Sequence, residues 1–101
     1  MSLAYRLTPA AQADLDEIIS FIADDNIDAG LRVLDAFEQA FELLGNNPEI
    51  GHVREDLTRQ PVKFWNVYSY LVVYDAASAP LTVIAVLHGA RSVDRILKDA
   101  E

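Results

Sequence analysis

The sequence predicts an α+β domain in which an antiparallel helical hairpin packs on an antiparallel β-sheet. Two observations predict it: the first half carries two helical patterns of apolar residues, and the second half carries three runs rich in β-branched and aromatic residues. The predicted order is an N-terminal strand, two helices and three strands (β-α-α-β-β-β), followed by a short C-terminal helix. The 101 residues, 51% of them hydrophobic, fit one folded domain, which we assign to residues 1–101.

The first two elements are a strand and a helix. Residues 3–7 alternate between apolar and polar types, as a short strand does. Thr8 then offers a capping oxygen, and Pro9 fits the first helical position, so a helix should begin at Pro9 and end within residues 24–26. Its apolar stripe consists of Leu15, Ile18, Ile19 and Ile22. Its acids are predicted to face outward, and they are Asp14, Asp16, Glu17 and Asp24.

A second helix follows almost at once. Asp25 or Asn26 can cap it, and its apolar positions repeat at helical spacing up to a stop at residues 45–48. These positions are Leu34, Phe37, Phe41 and Leu44. Because the junction is so short, the two helices should form an antiparallel hairpin.

The sheet comes from residues 62–67, 70–74 and 81–87. The connections have hairpin lengths, which predicts an antiparallel meander, and the nearly continuous apolar character of the last run predicts a central strand. Ser92 can cap the final short helix, which would pack Ile96 and Leu97. With the hairpin on one face, we expect the other face to be only partly covered and available to a partner.

Composition narrows the function classes. The chain has no Cys, which removes disulfides, thiolate metal sites and a cysteine nucleophile, and favours a cytoplasmic protein. No export signal and no apolar run of membrane-spanning length is visible. The two histidines lack metal-ligand spacing, and the four glycines are scattered singly, so we expect neither a metal nor another cofactor.

Charge is distributed unevenly. The net charge is 8 − 16 = −8, with ten acids against two cations in residues 1–50 and six against six in residues 51–101. An acidic chain is a poor direct binder of nucleic acid, because that affinity depends on Lys and Arg at phosphates. The cations of the second half are therefore candidates for contact with a protein.

No standard catalytic constellation is visible, so we predict no catalytic residues. The candidates for binding a partner or target are Arg54, Arg59, Lys63, Trp65, His88 and Arg91. Each has a structural alternative: Arg91 could neutralise nearby acids, His88 could pack at a strand end, and Arg54 could pair with its neighbours Glu55 and Asp56. Phe64 and Trp65 are adjacent and must point to opposite faces of their strand, but the pattern does not say which faces the helices.

Several short motifs together resemble the ParE branch of the RelE/ParE toxin superfamily, in the right order and over nearly the whole chain. They are Tyr5-Arg6-Leu7-Thr8-Pro9-Ala10-Ala11, Asn47-Pro48-Glu49-Ile50-Gly51, Arg54-Glu55-Asp56-Leu57, the strand pair at residues 67–74 and His88-Gly89-Ala90-Arg91. The residue after His88-Gly89-Ala90-Arg91 is commonly Asp in this branch and is Ser92 here. Serine can also cap a helix, but the resemblance then implies no specific pairing of that acid.

The resemblance implies the toxin of a bacterial type II toxin–antitoxin pair, ParE-like, which inhibits DNA gyrase and is neutralised by a ParD-like antitoxin. One alternative is a RelE-like ribosome-dependent mRNA endoribonuclease, and another is a non-toxic member that only binds antitoxin. RelE-like proteins use a tyrosine near the C-terminus as an acid, and no tyrosine follows Tyr74 in this sequence. That absence and the acidic net charge favour the ParE-like function.

Overall fold

The computed structural model describes residues 4–88. In chain order the elements are β1 (Tyr5–Leu7), α1 (Pro9–Asp25), α2 (Ile27–Asn46), a 3₁₀ turn (Pro48–Ile50), β2 (Lys63–Val67), β3 (Tyr70–Asp75) and β4 (Leu81–Leu87). This order confirms the predicted α+β arrangement of a strand, two helices and three strands. The predicted C-terminal helix lies outside the described residues.

The sheet is mixed, which corrects the prediction of a wholly antiparallel one. Its strand order is β1-β4-β3-β2, with β2, β3 and β4 antiparallel as predicted and β1 parallel to β4. The link between β1 and α1 explains the direction of β1. Thr8 donates from its backbone N–H to the Val83 carbonyl (3.0 Å) and from Oγ1 to the Ile84 carbonyl (3.1 Å), so the start of α1 is fixed beside β4.

The helical hairpin forms as its caps predict. Thr8 Oγ1 accepts from the Ala11 N–H at the start of α1, and Asn26, one of the two predicted caps, accepts from the Ala29 N–H at the start of α2. The helices approach closely where Gly30 of α2 faces Ala23 of α1, since a Cβ at Gly30 would lie 2.9 Å from that of Ala23. Neither helix is long and apolar enough to cross a membrane, nor is any other helix within residues 4–88.

Both faces of the sheet carry buried side chains. The face toward the hairpin packs Phe37, Phe41 and Leu44 of α2 against strand residues that include Val72 and Val83. The opposite face holds a second cluster, each member 5% exposed or less, formed by Val62, Phe64, Leu71, Val73, Ala85 and Leu87. The expectation that this face is only partly covered is therefore wrong for these residues, against which Leu57 also packs.

One helical acid points toward the sheet. Asp14 was predicted to face outward, yet it is half-buried, and its Oδ2 accepts from the backbone N–H of Val86 in β4 (3.1 Å). The helical pattern could not show this, because it places Asp14 at the border of the apolar stripe without showing what lies opposite. The outward prediction is correct for Asp16, Glu17 and Asp24, which are exposed.

Candidate functional site

The segment that leads into the sheet is fastened by one buried phenol. Tyr74 of β3 is fully buried; its hydroxyl donates to the Pro48 carbonyl (2.7 Å) and accepts from the Gly51 N–H (2.9 Å). Burial raises the pKa of Tyr74, the hydrogen bond from Gly51 opposes that rise, and the charge of Glu49 adds to it. The chain is thus held at residues 48–51, immediately before the candidate cations.

Backbone pairing then brings His52 to the edge of the sheet. His52 and Phe64 exchange two backbone hydrogen bonds, from His52 N to Phe64 O (2.9 Å) and from Phe64 N to His52 O (2.8 Å). The exposed ring of His52 lies nearly parallel to the Trp65 indole, with an interplanar angle of 10° and centroids 6.1 Å apart. The pairing therefore builds an aromatic stack on the edge strand.

Lys63 and Trp65 share one face of β2, because residues two apart in a strand point the same way. Both are half-exposed, and Trp65 also packs on the core beneath the hairpin, while Phe64 is buried on the opposite face. The structure thereby answers which of the two aromatics faces the helices. We call the group His52, Lys63 and Trp65 the aromatic–cationic edge. His52 was not among the predicted site residues, and the signal that could have identified it is its place directly after Gly51 in the segment that leads into the sheet.

Arg54 is held by a neighbour. Its Nε and Nη2 donate to the two carboxylate oxygens of Asp56 at 3.0 and 2.9 Å, and the hydrogen bond from Arg54 lowers the pKa of that carboxyl group. This geometry agrees with the structural alternative for Arg54. Arg59 is exposed in the same segment and forms no salt bridge within residues 4–88.

The candidate His88 directly follows the last residue of β4. His88 is exposed, and its ring lies 5.1 Å from that of Tyr70, which in turn lies 5.7 Å from the buried ring of Phe37. His88 therefore belongs to a series of packed aromatic rings, as its structural alternative expects. Arg91 lies outside the described residues.

The turn between β2 and β3 presents an exposed phenol that sequence reasoning missed. Tyr68 is 69% exposed and has a φ of 55°, in the left-handed region that favours glycine. A two-residue hairpin turn ordinarily uses Asn or Gly for this conformation, and Tyr in that place was the available signal. Residues held in such conformations cluster at functional sites, which makes Tyr68 a further candidate.

The described residues offer groups suited to binding another protein. They are the cation of Lys63, the stacked rings of His52 and Trp65, and the exposed phenol of Tyr68. Within residues 4–88 no three His, Asp or Glu side chains come together as a metal site. Tryptophan and tyrosine are enriched among the residues that dominate protein–protein binding, and a cation beside them adds charge complementarity to an acidic partner. The described part of the chain thus offers a surface for another macromolecule.

Comparison with known families agrees with this architecture. Residues 5–93, which contain every described strand and helix, match the model of the family described as the ParE toxin of the type II toxin–antitoxin system, parDE. No curated protein matches the chain. Because the family model covers most of the sequence, the chain belongs to the ParE toxin family of type II toxin–antitoxin systems.

Proposed function

We propose that this toxin acts in the cytoplasm by inhibiting DNA gyrase and is neutralised by a ParD-like antitoxin. The observation that carries the proposal is the ParE match over residues 5–93. Membership of a type II toxin–antitoxin family implies an antitoxin partner. Gyrase as the target and ParD as the type of antitoxin are the finer parts of the proposal, and they rest on the resemblance to the ParE branch.

The aromatic–cationic edge is the surface that we propose for the target. The helical hairpin, residues 9–46, carries nine acids and one cation, Arg32. Lys63 therefore offers a positive charge on a strongly acidic molecule, beside the stacked rings of Trp65 and His52. A protein target that meets this edge can pair an acidic group with Lys63 and pack an apolar group on the indole.

The alternative of a RelE-like nuclease has less support. Such chemistry needs a proton donor near the scissile phosphate, and the Tyr74 hydroxyl is already committed to two backbone partners. A net charge of −8 also opposes docking among ribosomal phosphates. We therefore propose inhibition by binding, with no metal, cofactor or direct contact to nucleic acid.

Controlled expression of the chain in bacteria without an antitoxin tests the function. Filamentous growth arrest with a DNA-damage response and intact messages supports gyrase poisoning, and purified toxin should then inhibit supercoiling by gyrase. Cuts in translated messages would establish the nuclease instead. Normal growth with folded, abundant toxin would favour a family member that only binds its antitoxin.

Charge reversal at the edge tests the surface. Lys63→Glu should abolish inhibition of gyrase while leaving the melting temperature nearly unchanged, because Lys63 is half-exposed and its side chain forms no salt bridge within residues 4–88. Arg32→Glu, an exposed change of equal charge on the hairpin, is the matched control and should retain inhibition. Equal loss in both variants would mean that net charge, and not this edge, decides binding. The variants Arg59→Glu and Arg91→Ala are to be measured in the same way, for inhibition of gyrase and for melting temperature.

A further inference from the structure

The tip of the helical hairpin carries an apolar cleft that the proposed target surface does not use. The cleft is open, about 590 Å³ in volume, and lined by Phe21, Ile22, Asp24, Asp25, Asn26 and Ala29. Phe21 is 78% exposed, more than any other large hydrophobic residue of the described chain. An aromatic ring so exposed at the edge of a cleft is available to a partner.

The charged residues nearest to Phe21 along α1 are all negative. Glu17 and Asp25 lie one helical turn before and after Phe21 on α1, and Asp24 lies three residues on, so each neighbours the ring. None of these three acids forms a salt bridge within residues 4–88. The apolar ring is thus bordered by carboxylates that are open to a cation.

The position of two of these acids is locally unfavourable. Asp24 and Asp25 end α1, where the helix dipole is negative, and the last turn of α1 has no basic residue. Cations are the stabilising charges at that end of a helix. A Lys or Arg from outside the chain would therefore meet both the two carboxylates and the carboxyl end of α1.

We propose that the hairpin tip is a docking site for a basic amphipathic helical segment of a partner protein. An apolar side chain of that segment packs on Phe21, Ile22 and Ala29, and its Lys or Arg side chains pair with Asp24 and Asp25. Charge complementarity selects this occupant over a second copy of the chain, whose own hairpin is as acidic as this one. The site is independent of gyrase inhibition, because it shares no residue with the aromatic–cationic edge.

A synthetic helical peptide tests the proposal with the full chain. The peptide has Leu at spacings that alternate between three and four residues, and Lys at the positions between them. A peptide of the same composition in scrambled order is its control. At about 0.15 M salt, exposed charges more than about 8 Å apart are largely screened, so the net charge of the hairpin contributes little. The amphipathic peptide should then bind with changes in backbone amide NMR shifts confined to residues 17–31. Equal binding of the scrambled peptide, or shifts spread over the whole hairpin, would overturn the proposal.

Variants separate packing from charge. Phe21→Ser should weaken binding of the amphipathic peptide by at least tenfold, whereas Leu43→Ser, which removes an exposed apolar side chain elsewhere on the same acidic hairpin, should leave binding unchanged. Both side chains are exposed, so neither change should unfold the chain. Circular dichroism checks that both variants are folded. Equal weakening by both variants would contradict docking at the tip.

Charge reversal gives the decisive test. Replacing Asp24 and Asp25 together by Lys should abolish binding of the Lys peptide and create binding of the same peptide with Glu in place of Lys. The matched control replaces Asp16 and Asp35, two exposed acids away from the tip, and should not create that binding. If the Glu peptide binds neither or both variants, the acids of the tip do not select the partner. Because supercoiling by gyrase is not measured here, these outcomes are independent of the proposed toxin activity.

Discussion

The hydroxyl of Tyr74 in β3 accepts a hydrogen bond from the backbone N–H of Gly51 at 2.9 Å, across 23 residues of chain. The same hydroxyl donates to the Pro48 carbonyl at 2.7 Å. Two backbone groups that stand outside helix and sheet ladders are thereby satisfied by one buried side chain. This contact fixes the chain just before His52 pairs with β2, so it supports the aromatic–cationic edge without belonging to it.

Removing the Tyr74 hydroxyl should destabilise the fold. Tyr74→Phe keeps the ring but leaves the Pro48 carbonyl and the Gly51 N–H without this partner, and we expect the free energy of unfolding to fall by about 1–3 kcal/mol. Urea denaturation measures the change. Tyr68→Phe, which removes an exposed hydroxyl, is the control and should change stability by less than about 0.5 kcal/mol. Equal stability of Tyr74→Phe and the unchanged chain would contradict the role of this contact.

A side chain at Gly51 should destabilise the fold. A Cβ there would overlap the Tyr74 hydroxyl oxygen and lie 2.7 Å from its ring, and that ring is fully buried. We expect Gly51→Ala to lower the free energy of unfolding by about 1–3 kcal/mol through overpacking. The double variant with Tyr74→Phe tests the cause, because removing the oxygen relieves the closest contact and the two losses should then be less than additive. Strict additivity would locate the strain elsewhere.

Alkaline pH should destabilise the fold through two phenols, the buried Tyr74 and the half-buried Tyr5. Burial raises the pKa of Tyr74 and of Tyr5 above the ordinary value of 10.0, and the charges of Glu38 and Glu42 add to the rise at Tyr5. Above about pH 10 the unfolded chain loses these protons while the folded chain retains them, so the free energy of unfolding falls as the pH rises through the folded pKa values. Denaturation at pH 8 and above pH 10 measures the fall, which should be smaller in Tyr74→Phe. An identical pH dependence in that variant would show that Tyr74 does not contribute.

The fold was largely predictable because its signals are local. Thr8 followed by Pro9 fixed the start of α1, and Asn26 was one of two predicted caps of α2. The direction of β1 was not predictable in the same way. It depends on contacts of Thr8 with Val83 and Ile84, more than 70 residues away, and no local pattern encodes such a pairing.

The candidate site was predictable in composition and not in arrangement. Lys63 and Trp65 were identified from residue type, and their shared face follows from the period of a strand. His52 entered the site only through its backbone pairing with Phe64, and Arg54 was distinguished from the other cations only by its ion pair with Asp56. Tertiary pairing decides both, so a single sequence left the alternatives open.

Asp14 should matter more for stability than its neighbours on α1. Asp14→Ala removes the acceptor that Val86 uses, and Val86 is buried, so we expect a loss of about 1–3 kcal/mol in the free energy of unfolding. Glu17→Ala, an exposed acid one turn further on, is the matched control and should be neutral or slightly stabilising because Ala is the better helix former. Equal effects of the two changes, measured by urea denaturation, would mean that the hydrogen bond to β4 contributes nothing.

Tyr68 should show opposite effects on stability and toxicity. Its φ of 55° is costly for a side chain with a Cβ, whereas Asn adopts this conformation readily in two-residue turns. We therefore expect Tyr68→Asn to raise the free energy of unfolding by about 0.5–1 kcal/mol and to weaken growth arrest, because the exposed phenol is lost. Tyr68→Phe keeps both the ring and the backbone cost, so it should match the unchanged chain in stability. A Tyr68→Asn protein that is more stable and fully toxic would show that the phenol is dispensable, and one that is less stable would show that contacts of the ring outweigh the cost of its backbone.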